Sequence, residues 1–321
     1  MSKSDQKEMS RSNRKNNQKK PKKTKNKSLW KKILLGFLGL ILAALVAGFG
    51  LFVYYASSAP ELTEEDLRGY YASDFVDMNG DVFYKLGGVE RKRATFDEYP
   101  EVMINALMAI EDQRFQSHFG IDPIGIARAA LGYVVEGQIV GGGSTITQQL
   151  IKNSVFSTLQ EDQTLERKAQ EAWLAIQLEQ QLSKDQIITL YLNKIHMGGN
   201  VYGVATAAQE YYGKHVSELE LHEAAMFASM PRAPNYYNPY VNDEAATTRR
   251  NVVLDVMVSE GMVTQAEADA AKAIPVTEGL QEQTVRENDE ISDSYITAAI
   301  EEVKEKKGLN PSTAGLTIYT N

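Results

Sequence analysis

The sequence predicts a mainly α-helical protein with one small β-hairpin, preceded by one transmembrane helix. Three observations predict this class. Apolar residues recur at helical spacing through most of residues 99–273. The turn Asn79-Gly80 lies between two alternating segments, which is the short-range signature of a hairpin. Residues 33–55 contain no charged residue, and a helix of that length crosses a bilayer core of about 30 Å.

The first 32 residues form a basic, low-complexity tail. They hold 13 Lys and Arg against two acidic residues, so that residues 33–321 carry −19 within a chain whose net charge is −8. Such a tail is typical of a nucleic-acid-binding arm, or of a disordered segment that sets membrane orientation and contacts anionic lipid. Because the tail runs directly into an apolar span, we favour the membrane role and predict no nucleic-acid partner.

The apolar span at residues 33–55 has two interpretations. A cleaved secretory signal has an apolar region of about 7–15 residues that ends in a small-residue cleavage site. Ala56-Ser57-Ser58-Ala59 offers small residues, but the span is longer than such a region. We therefore predict a retained single-pass anchor in the cell membrane. Because positive residues stay on the cytoplasmic side, the N-terminus is cytoplasmic and the chain beyond Ser57 is extracytoplasmic.

Beyond the anchor the pattern predicts a β-hairpin linker region at residues 56–98 and a main helical domain at residues 99–240. A helical extension follows at residues 241–279, and residues 280–321 form a linker that ends in a strand at Leu316–Thr320. The predicted helices cover residues 99–111, 123–135, 145–156, 165–182, 186–194, 200–212, 217–230, 245–273 (a pair hinged at Gly261) and 294–307. Cysteine is absent, which excludes a thiol nucleophile and a Cys-ligated zinc site.

The first candidate site is a pair of acids, Glu111-Asp112, at the end of an apolar helix and followed by Phe115, His118 and Asp122. A carboxyl group at an apolar helix end loses part of its hydration, which suits it to proton transfer. The alternative is a solvated helix terminus beside a structural histidine. This segment alone leaves both interpretations open.

The second candidate site is a glycine loop, Gly141-Gly142-Gly143, that leads into a polar helix start with Ser144 or Thr145 as its cap. Free N–H groups at a helix start favour an anion. No Gly-Lys-Ser/Thr follows the glycines, so this is not a nucleotide phosphate loop. The pattern predicts a pyrophosphate or sugar site, with a flexible surface loop as the alternative.

The third candidate site is Arg167-Lys168-Ala-Gln-Glu171, with Glu179 two helical turns further on. Arg167 and Glu171 have the spacing of a helix-surface ion pair, which contributes about 0.2–0.5 kcal/mol. The alternative is a second carboxylate in a cleft, where it could hold a divalent cation against a phosphate.

Together these segments resemble the glycosyltransferase domain of class A penicillin-binding proteins and the monofunctional peptidoglycan glycosyltransferases, glycosyltransferase family 51. The resemblance is near continuous from Ser73 to Pro239 and includes Ser183-Lys184-Asp185, Tyr191-Leu192-Asn193 and Pro231-Arg-Ala-Pro234. It implies a lysozyme-like fold with residues 99–240 as the catalytic domain and the loop at residues 139–143 beside the cleft.

The resemblance also implies roles for individual residues. Glu111 would be the general base that deprotonates the 4-hydroxyl of lipid II, the acceptor. This oxygen would attack the lipid-linked donor chain with inversion to a β-1,4 bond and release of undecaprenyl pyrophosphate. Glu171 would be the second catalytic glutamate and a ligand of Mg²⁺ or Mn²⁺. The implied substrate-binding residues are Asp112, Phe115, Arg128, Ser144, Thr145, Gln148, Gln149, Lys152, Asn153, Arg167 and Lys168.

The implied partners are lipid II, the lipid-linked glycan chain, membrane lipid and other cell-wall synthesis proteins. Two departures from the family pattern stand out. Gln163 occupies a position that is often basic, which puts one phosphate contact in doubt, and Ala228-Ser229 replaces the usual Ala-Gly, which implies a small packing change.

Two other functions compete with glycan polymerisation: lysozyme-like or lytic cleavage of glycan strands, with Glu111 as the acid, and an inactive wall scaffold. The basic residues disfavour the first, and both glutamates disfavour the second. No Lys-Thr-Gly occurs, and the Ser-x-x-Lys spacings lie in or beside the basic tail, so a transpeptidase is absent from this sequence. We expect a truncated bifunctional protein that penicillin does not label.

Overall fold

The structure is a computed structural model that describes residues 27–68, 73–86, 92–136, 143–156, 164–199, 201–282, 293–307 and 316–320. Helices dominate this part of the chain and a three-stranded sheet is its β component. The predicted mainly α class is therefore confirmed. Gln163, residues 139–142 of the glycine loop and most of the basic tail lie outside the described residues. The chain divides into two compact units, residues 1–53 and residues 54–321.

The first unit contains most of helix α1, which covers Lys27–Ala56. By length and composition, Trp30–Ala56 is able to cross a membrane. Its large apolar side chains are exposed, as those of a lipid-facing helix would be. This agrees with the predicted anchor, although a secretory signal satisfies the same criterion.

The second unit begins near the end of α1 and holds the other described elements. Short 3-10 turns lie at Phe96–Glu98, Phe115–Ser117 and Val216–Glu218. The strands are β1 (Ser73–Val76), β2 (Val82–Leu86) and β3 (Thr317–Tyr319). The helices are α2 (Glu64–Arg68), α3 (Glu101–Glu111), α4 (Pro123–Glu136), α5 (Ile146–Val155), α6 (Leu165–Gln181), α7 (Lys184–Lys194), α8 (Val204–Tyr212), α9 (Leu221–Ser229), α10 (Asp243–Ser259), α11 (Gln265–Ala273) and α12 (Asp293–Lys307).

The helices that carry the candidate site begin at side-chain caps. The Thr145 hydroxyl accepts from the Gln148 N–H, and the Gln148 side chain accepts from the Thr145 N–H, so Thr145 rather than Ser144 starts α5. Ser183 and Gln186 form the same capping box at the start of α7. Thr164 caps α6 by accepting from the Arg167 N–H. These caps fix where the polar helix starts lie.

One main core brings the helices of the site together. Helix α3 packs against α9 and α10, and α5 packs against both α6 and α7. Fully buried side chains fill the space between them, among them Leu107, Leu150, Ile188 and Phe227. Ser229, at the departure from the family pattern, is also buried and its hydroxyl donates to the Met226 carbonyl. As a result, the C-terminal end of α3 meets the face of α5.

A second, smaller core lies on the three-stranded sheet. The strand order is β2-β1-β3, with β1 antiparallel to β2 and parallel to β3. Phe75, Ile296 and Ile318 form the buried centre, so that α12 packs with the sheet. The predicted hairpin is confirmed, and its turn has Gly80 at φ 91°. The predicted terminal strand is present, and the structure pairs it with β1.

Two predicted helix boundaries are wrong. Helix α8 begins at Val204 rather than residue 200, because Gly203 has φ 82° and a Cβ there would lie 2.7 Å from the Asn193 carbonyl oxygen. The helix predicted at residues 217–230 is a 3-10 turn followed by α9. The Glu220 N–H donates to the Glu223 carboxylate, which starts a new helix at this point.

Candidate active site

The predicted base, Glu111, is the last residue of α3 and is half-buried. Its Oε2 accepts from Nε2 of Gln149 at 2.7 Å. The Oε1 of Gln149 in turn accepts from the Tyr191 hydroxyl at 2.8 Å. Helices α5 and α7 therefore hold one oxygen of the carboxylate at the end of α3.

Asp112 joins the end of α3 to the start of α5. Its Oδ2 accepts from the Ile146 N–H at 3.0 Å and lies 2.8 Å from Nε2 of His118. Because Nδ1 of His118 accepts from the Gly120 N–H, Nε2 carries the hydrogen and donates to Asp112. Both side chains are buried. Asp112 and His118 are thus structural supports that place Glu111 beside α5.

Asp122 and Arg114 shape the turn after Glu111. Oδ1 of Asp122 accepts from the Ile124 N–H at 3.1 Å and from Nε of Arg114 at 3.2 Å. Desolvation is the largest single effect on the pKa of Asp122 and raises it. The hydrogen bonds to Gly125 and Arg114 are the largest of the effects that lower it, and these effects together outweigh desolvation, so the pKa is lowered overall. Asp122 therefore caps α4.

Phe115 was predicted to contact substrate, but its side chain is fully buried. Its ring packs edge-on against His118, and the Lys184 ammonium lies 4.5 Å from its centroid. Thr145 and Gln148 are also buried and form the α5 cap. Phe115 supports the site from within the core, and Thr145 and Gln148 support it as the cap of α5.

A cleft of about 260 Å³ opens beside Glu111. Arg128 on α4 is exposed there and donates to Oε1 of Gln113 at 3.2 Å. Ser144, from the end of the glycine loop, lines the same cleft. Its walls include Glu111, Asp112, Arg114, Arg128, Ser144 and Thr145.

Glu171 is fully buried, so the helix-surface ion pair is not what the structure shows. Its Oε1 accepts from Nε of Arg167 at 2.9 Å and its Oε2 from Nζ of Lys168 at 2.6 Å. Nζ of Lys168 also lies 3.4 Å from the Ser144 hydroxyl, which connects α6 to the cleft. One buried carboxylate therefore positions two cations near the start of α5.

The charges of both glutamates, Glu111 and Glu171, act on Lys152 of α5. Burial lowers its pKa most, the positive charges of Lys168 and Arg167 lower it further, and Glu171 and Glu111 act in the opposite direction. Among the described residues, no side chain forms a hydrogen bond or ion pair with the Lys152 ammonium. Asn153, the next residue, is half-buried. The arrangement offers an unneutralised cation to an anionic ligand.

Arg249 on α10 is a further residue near the site, outside the set predicted from the sequence. Its Nε is buried without a hydrogen-bond partner in the described structure. Its pKa is lowered by burial first and by Arg232 next, whereas Tyr237 and Glu111 raise it. It therefore lies close enough to Glu111 to feel its charge. The sequence indicated this residue only through the Arg249-Arg250 pair within a predicted helix. The packing of α10 on α3 is what brings Arg249 near Glu111.

The predicted divalent cation does not fit this arrangement of side chains. Both oxygens of Glu171 already accept from cations. In the part of the chain that the structure describes, no three His, Cys, Asp or Glu side chains gather in a way that could hold a metal ion. A resident metal at Glu171 would first have to displace Lys168.

A family model described as transglycosylase matches residues 79–258. Penicillin-binding protein 1A of Streptococcus oralis is 44% identical over 292 residues, which are 91% of this chain and 46% of that protein. Penicillin-binding protein 1A/1B of Bacillus subtilis (strain 168) is 40% identical over 308 residues, 94% of this chain and 33% of that protein. This chain thus spans less than half the length of these relatives.

A crystal structure of penicillin-binding protein 1A from Haemophilus influenzae aligns with 82% of this chain and 27% of its own, at 23% identity and a TM-score of 0.43. That similarity is too low to establish a shared fold. The family match is different, because it covers more than half of the 321 residues and contains every candidate site residue named above. The chain belongs to the transglycosylase family.

Proposed function

We propose that this protein is a peptidoglycan glycosyltransferase that polymerises lipid II into β-1,4-linked glycan, with inversion and release of undecaprenyl pyrophosphate. One observation carries the proposal. In a chain of the transglycosylase family, Glu111 lines a cleft together with Ser144, and the Ser144 hydroxyl lies 3.4 Å from the Lys168 ammonium. A carboxylate base and an anion-binding cation are the two elements that this reaction requires.

In the proposed reaction, Glu111 takes the proton from the 4-hydroxyl of the acceptor sugar. The acceptor oxygen forms a bond to the anomeric carbon of the donor as the bond from that carbon to the pyrophosphate oxygen breaks. Negative charge then develops on the leaving pyrophosphate, and Lys152, Lys168 and Arg167 stabilise it. Glu171 acts by holding Lys168 and Arg167 in place.

No step above depends on the divalent cation, and its requirement is tested separately. Its test is polymerisation after removal of metal with a chelator and after readdition of Mg²⁺ or Mn²⁺. Because Lys168 already occupies Oε2 of Glu171, the expected result is activity without metal. Strict dependence on the added ion would favour displacement of Lys168.

Lytic cleavage of glycan strands is the alternative function. A hydrolase that cuts glycan has no pyrophosphate leaving group, so it gains nothing from cations gathered around Lys152 and Glu171. Release of soluble fragments from purified cell-wall sacculi by this protein would favour the alternative.

We further propose that α1 is a single-pass anchor with a cytoplasmic N-terminus. The second unit would then act at the extracytoplasmic face of the cell membrane. The basic residues before the span and its apolar composition support this orientation. Membrane lipid and other cell-wall synthesis proteins are the partners that this position implies.

The decisive experiment is incorporation of labelled lipid II into glycan by the purified chain in detergent or vesicles. Glu111→Gln should lower the rate by about 10²–10⁴-fold, which is the usual contribution of a general base. Glu101→Gln is the matched control, because Glu101 is exposed at the opposite end of the same helix. An inactive wild type, or full activity in Glu111→Gln, would overturn the proposal.

A further inference from the structure

The side chains of Tyr191 and Gln149 form a partly buried path that ends at Glu111. The Tyr191 side chain is 1% exposed and lies within the main core. Its hydroxyl donates to Oε1 of Gln149 at 2.8 Å, and Nε2 of Gln149 donates to Oε2 of Glu111 at 2.7 Å. The path connects α7, α5 and the end of α3, and Tyr191 itself cannot reach a substrate.

The two ends of this path select one orientation of the Gln149 amide. An amide presents an acceptor oxygen and a donor nitrogen at nearly the same positions, so a flip would exchange them. After a flip, the amide oxygen would face the Glu111 carboxylate, and two acceptors would oppose each other. Burial, followed by the charge of Glu111, raises the pKa of Tyr191 well above its usual value, which keeps the phenol protonated as a donor.

We propose that Tyr191 is a positioning residue for the catalytic base, which acts through Gln149 to hold Oε2 of Glu111 and leave Oε1 for the acceptor hydroxyl. Among the described residues, no donor contacts Oε1. The inference rests on the proposed function, since it assigns Glu111 the role of the base. It adds a residue that touches neither substrate nor carboxylate and still sets the geometry of proton transfer.

The test compares Tyr191→Phe with wild type in lipid II polymerisation by the full chain. The substitution removes the hydroxyl and keeps the ring, so Gln149 loses the hydrogen bond that fixes its amide. We expect kcat to fall about tenfold, as the loss of one partly buried hydrogen bond that positions the base predicts, with KM changed less than about twofold. The KM is expected to stay constant because Tyr191 does not contact substrate.

Tyr99→Phe is a closely matched control. Tyr99 is also buried, and its hydroxyl donates to an amide oxygen, Oδ1 of Asn193, at 3.0 Å. That amide contacts the Ala94 backbone and does not contact Glu111. Tyr99→Phe should therefore keep the wild-type kcat, while thermal unfolding shows whether either variant perturbs the core. An equal fall of kcat in both variants would mean general damage and would overturn the proposal.

A double-variant experiment tests whether Tyr191 acts through Gln149. Gln149→Met should lower kcat at least as much as Tyr191→Phe, and adding Tyr191→Phe to it should lower kcat by less than about twofold. Independent, multiplying effects would contradict the proposal, as would wild-type kcat in Tyr191→Phe. If wild type polymerises and Glu111→Gln does not, such results reject the role of Tyr191 alone. If wild type is inactive, the proposed function fails as well.

Discussion

Two neighbouring arginines on α10 have opposite environments. Arg250 is 1% exposed, and its guanidinium donates to the carbonyl oxygens of Ile274 at 2.7 Å and Lys272 at 3.2 Å, near the end of α11. Arg249 has a buried Nε that forms no hydrogen bond within the described residues, and the charge of Glu111 acts on it. The first arginine is a structural connection between α10 and α11, and the second keeps an unsatisfied donor near the site.

Substitution of each arginine by Met should separate these roles. Arg250→Met leaves two carbonyl groups without donors, so we expect the free energy of unfolding to fall by about 2–4 kcal/mol. Arg249→Met removes an unsatisfied donor, so the melting temperature should stay equal or rise while polymerisation falls at least about tenfold. Thermal unfolding and lipid II assays check both variants. The reverse pattern would contradict the assignment.

The lowered pKa of Lys152 predicts a pH dependence. Since burial and the neighbouring Lys168 lower it from 10.5, Lys152 is a cation below a pKa that lies under 10.5 and is neutral above it. As the pH rises, Lys152 should therefore lose its charge, and pyrophosphate binding should weaken, at a lower pH than for a lysine with an ordinary pKa. Lys152→Arg keeps its charge and should move the alkaline limb of kcat/KM to higher pH. Identical limbs in the two proteins would contradict the prediction.

At the scale of elements, Gly120 sets how closely the turn after Glu111 approaches α6. It has φ 99°, and a Cβ there would lie 2.5 Å from the Ala175 carbonyl oxygen. Its own carbonyl accepts from the Thr145 hydroxyl at 2.6 Å, which joins the turn to the α5 cap. A side chain at this position would push three elements of the site apart.

Gly120→Ala should therefore lower the free energy of unfolding by about 3 kcal/mol or more, through backbone strain and overpacking together. Gly80→Ala is the control, because Gly80 has φ 91° with no atom within 4 Å of the added Cβ. Gly80→Ala should lower the free energy of unfolding by the backbone strain alone, about 1–2 kcal/mol. Chemical denaturation measures both values. Equal losses would mean that the contact with α6 is unimportant.

Much of the element order was predictable because helix starts depend on local chemistry. Ser183 and Thr145 carry the cap and its capping-box partner within three residues, so α7 and α5 could be placed from the sequence. The breaks before α8 and α9 depend on subtler features. Gly203 is excluded from the helix by its packing against the Asn193 backbone, and Glu220 starts α9 as an unusual cap. The spacing of apolar residues reveals neither of these two features, so the starts of α8 and α9 were not predicted from it.

For the whole molecule, the candidate site was predictable as a set of motifs but not as a geometry. The order of motifs brought Glu111, Lys152 and Glu171 into one hypothesis. The burial of Glu171, the approach of Arg249 and the hydrogen-bond path from Tyr191 arise from contacts between helices distant in sequence. Local patterns carry no record of such contacts, which is why Arg249 and Tyr191 were not among the predicted site residues.

Because the two cores are separate clusters of buried side chains, we expect each to lose stability independently of the other. Phe75→Ala removes the centre of the small core, a change that typically costs about 3–5 kcal/mol where the side chain is fully buried. We expect faster hydrogen exchange and proteolysis in β1, β2 and α12, with the helices around Leu107 and Ile188 remaining protected. Ile188→Ala, in the main core, is the comparison and should lower protection throughout those helices. Equal loss of protection in both cores after Phe75→Ala would show that they unfold as one.

The parallel pairing of β1 with β3 has a consequence for the order of folding. The Ser73 hydroxyl and the Leu316 N–H that meet beside these strands are 243 residues apart. A ribosome that adds about 5–20 residues per second needs roughly 10–50 s to make that length. Until then β1 has only β2 as its strand partner, and a two-stranded hairpin is marginally stable by itself in water. The three-stranded sheet is therefore among the last parts of the nascent chain to form.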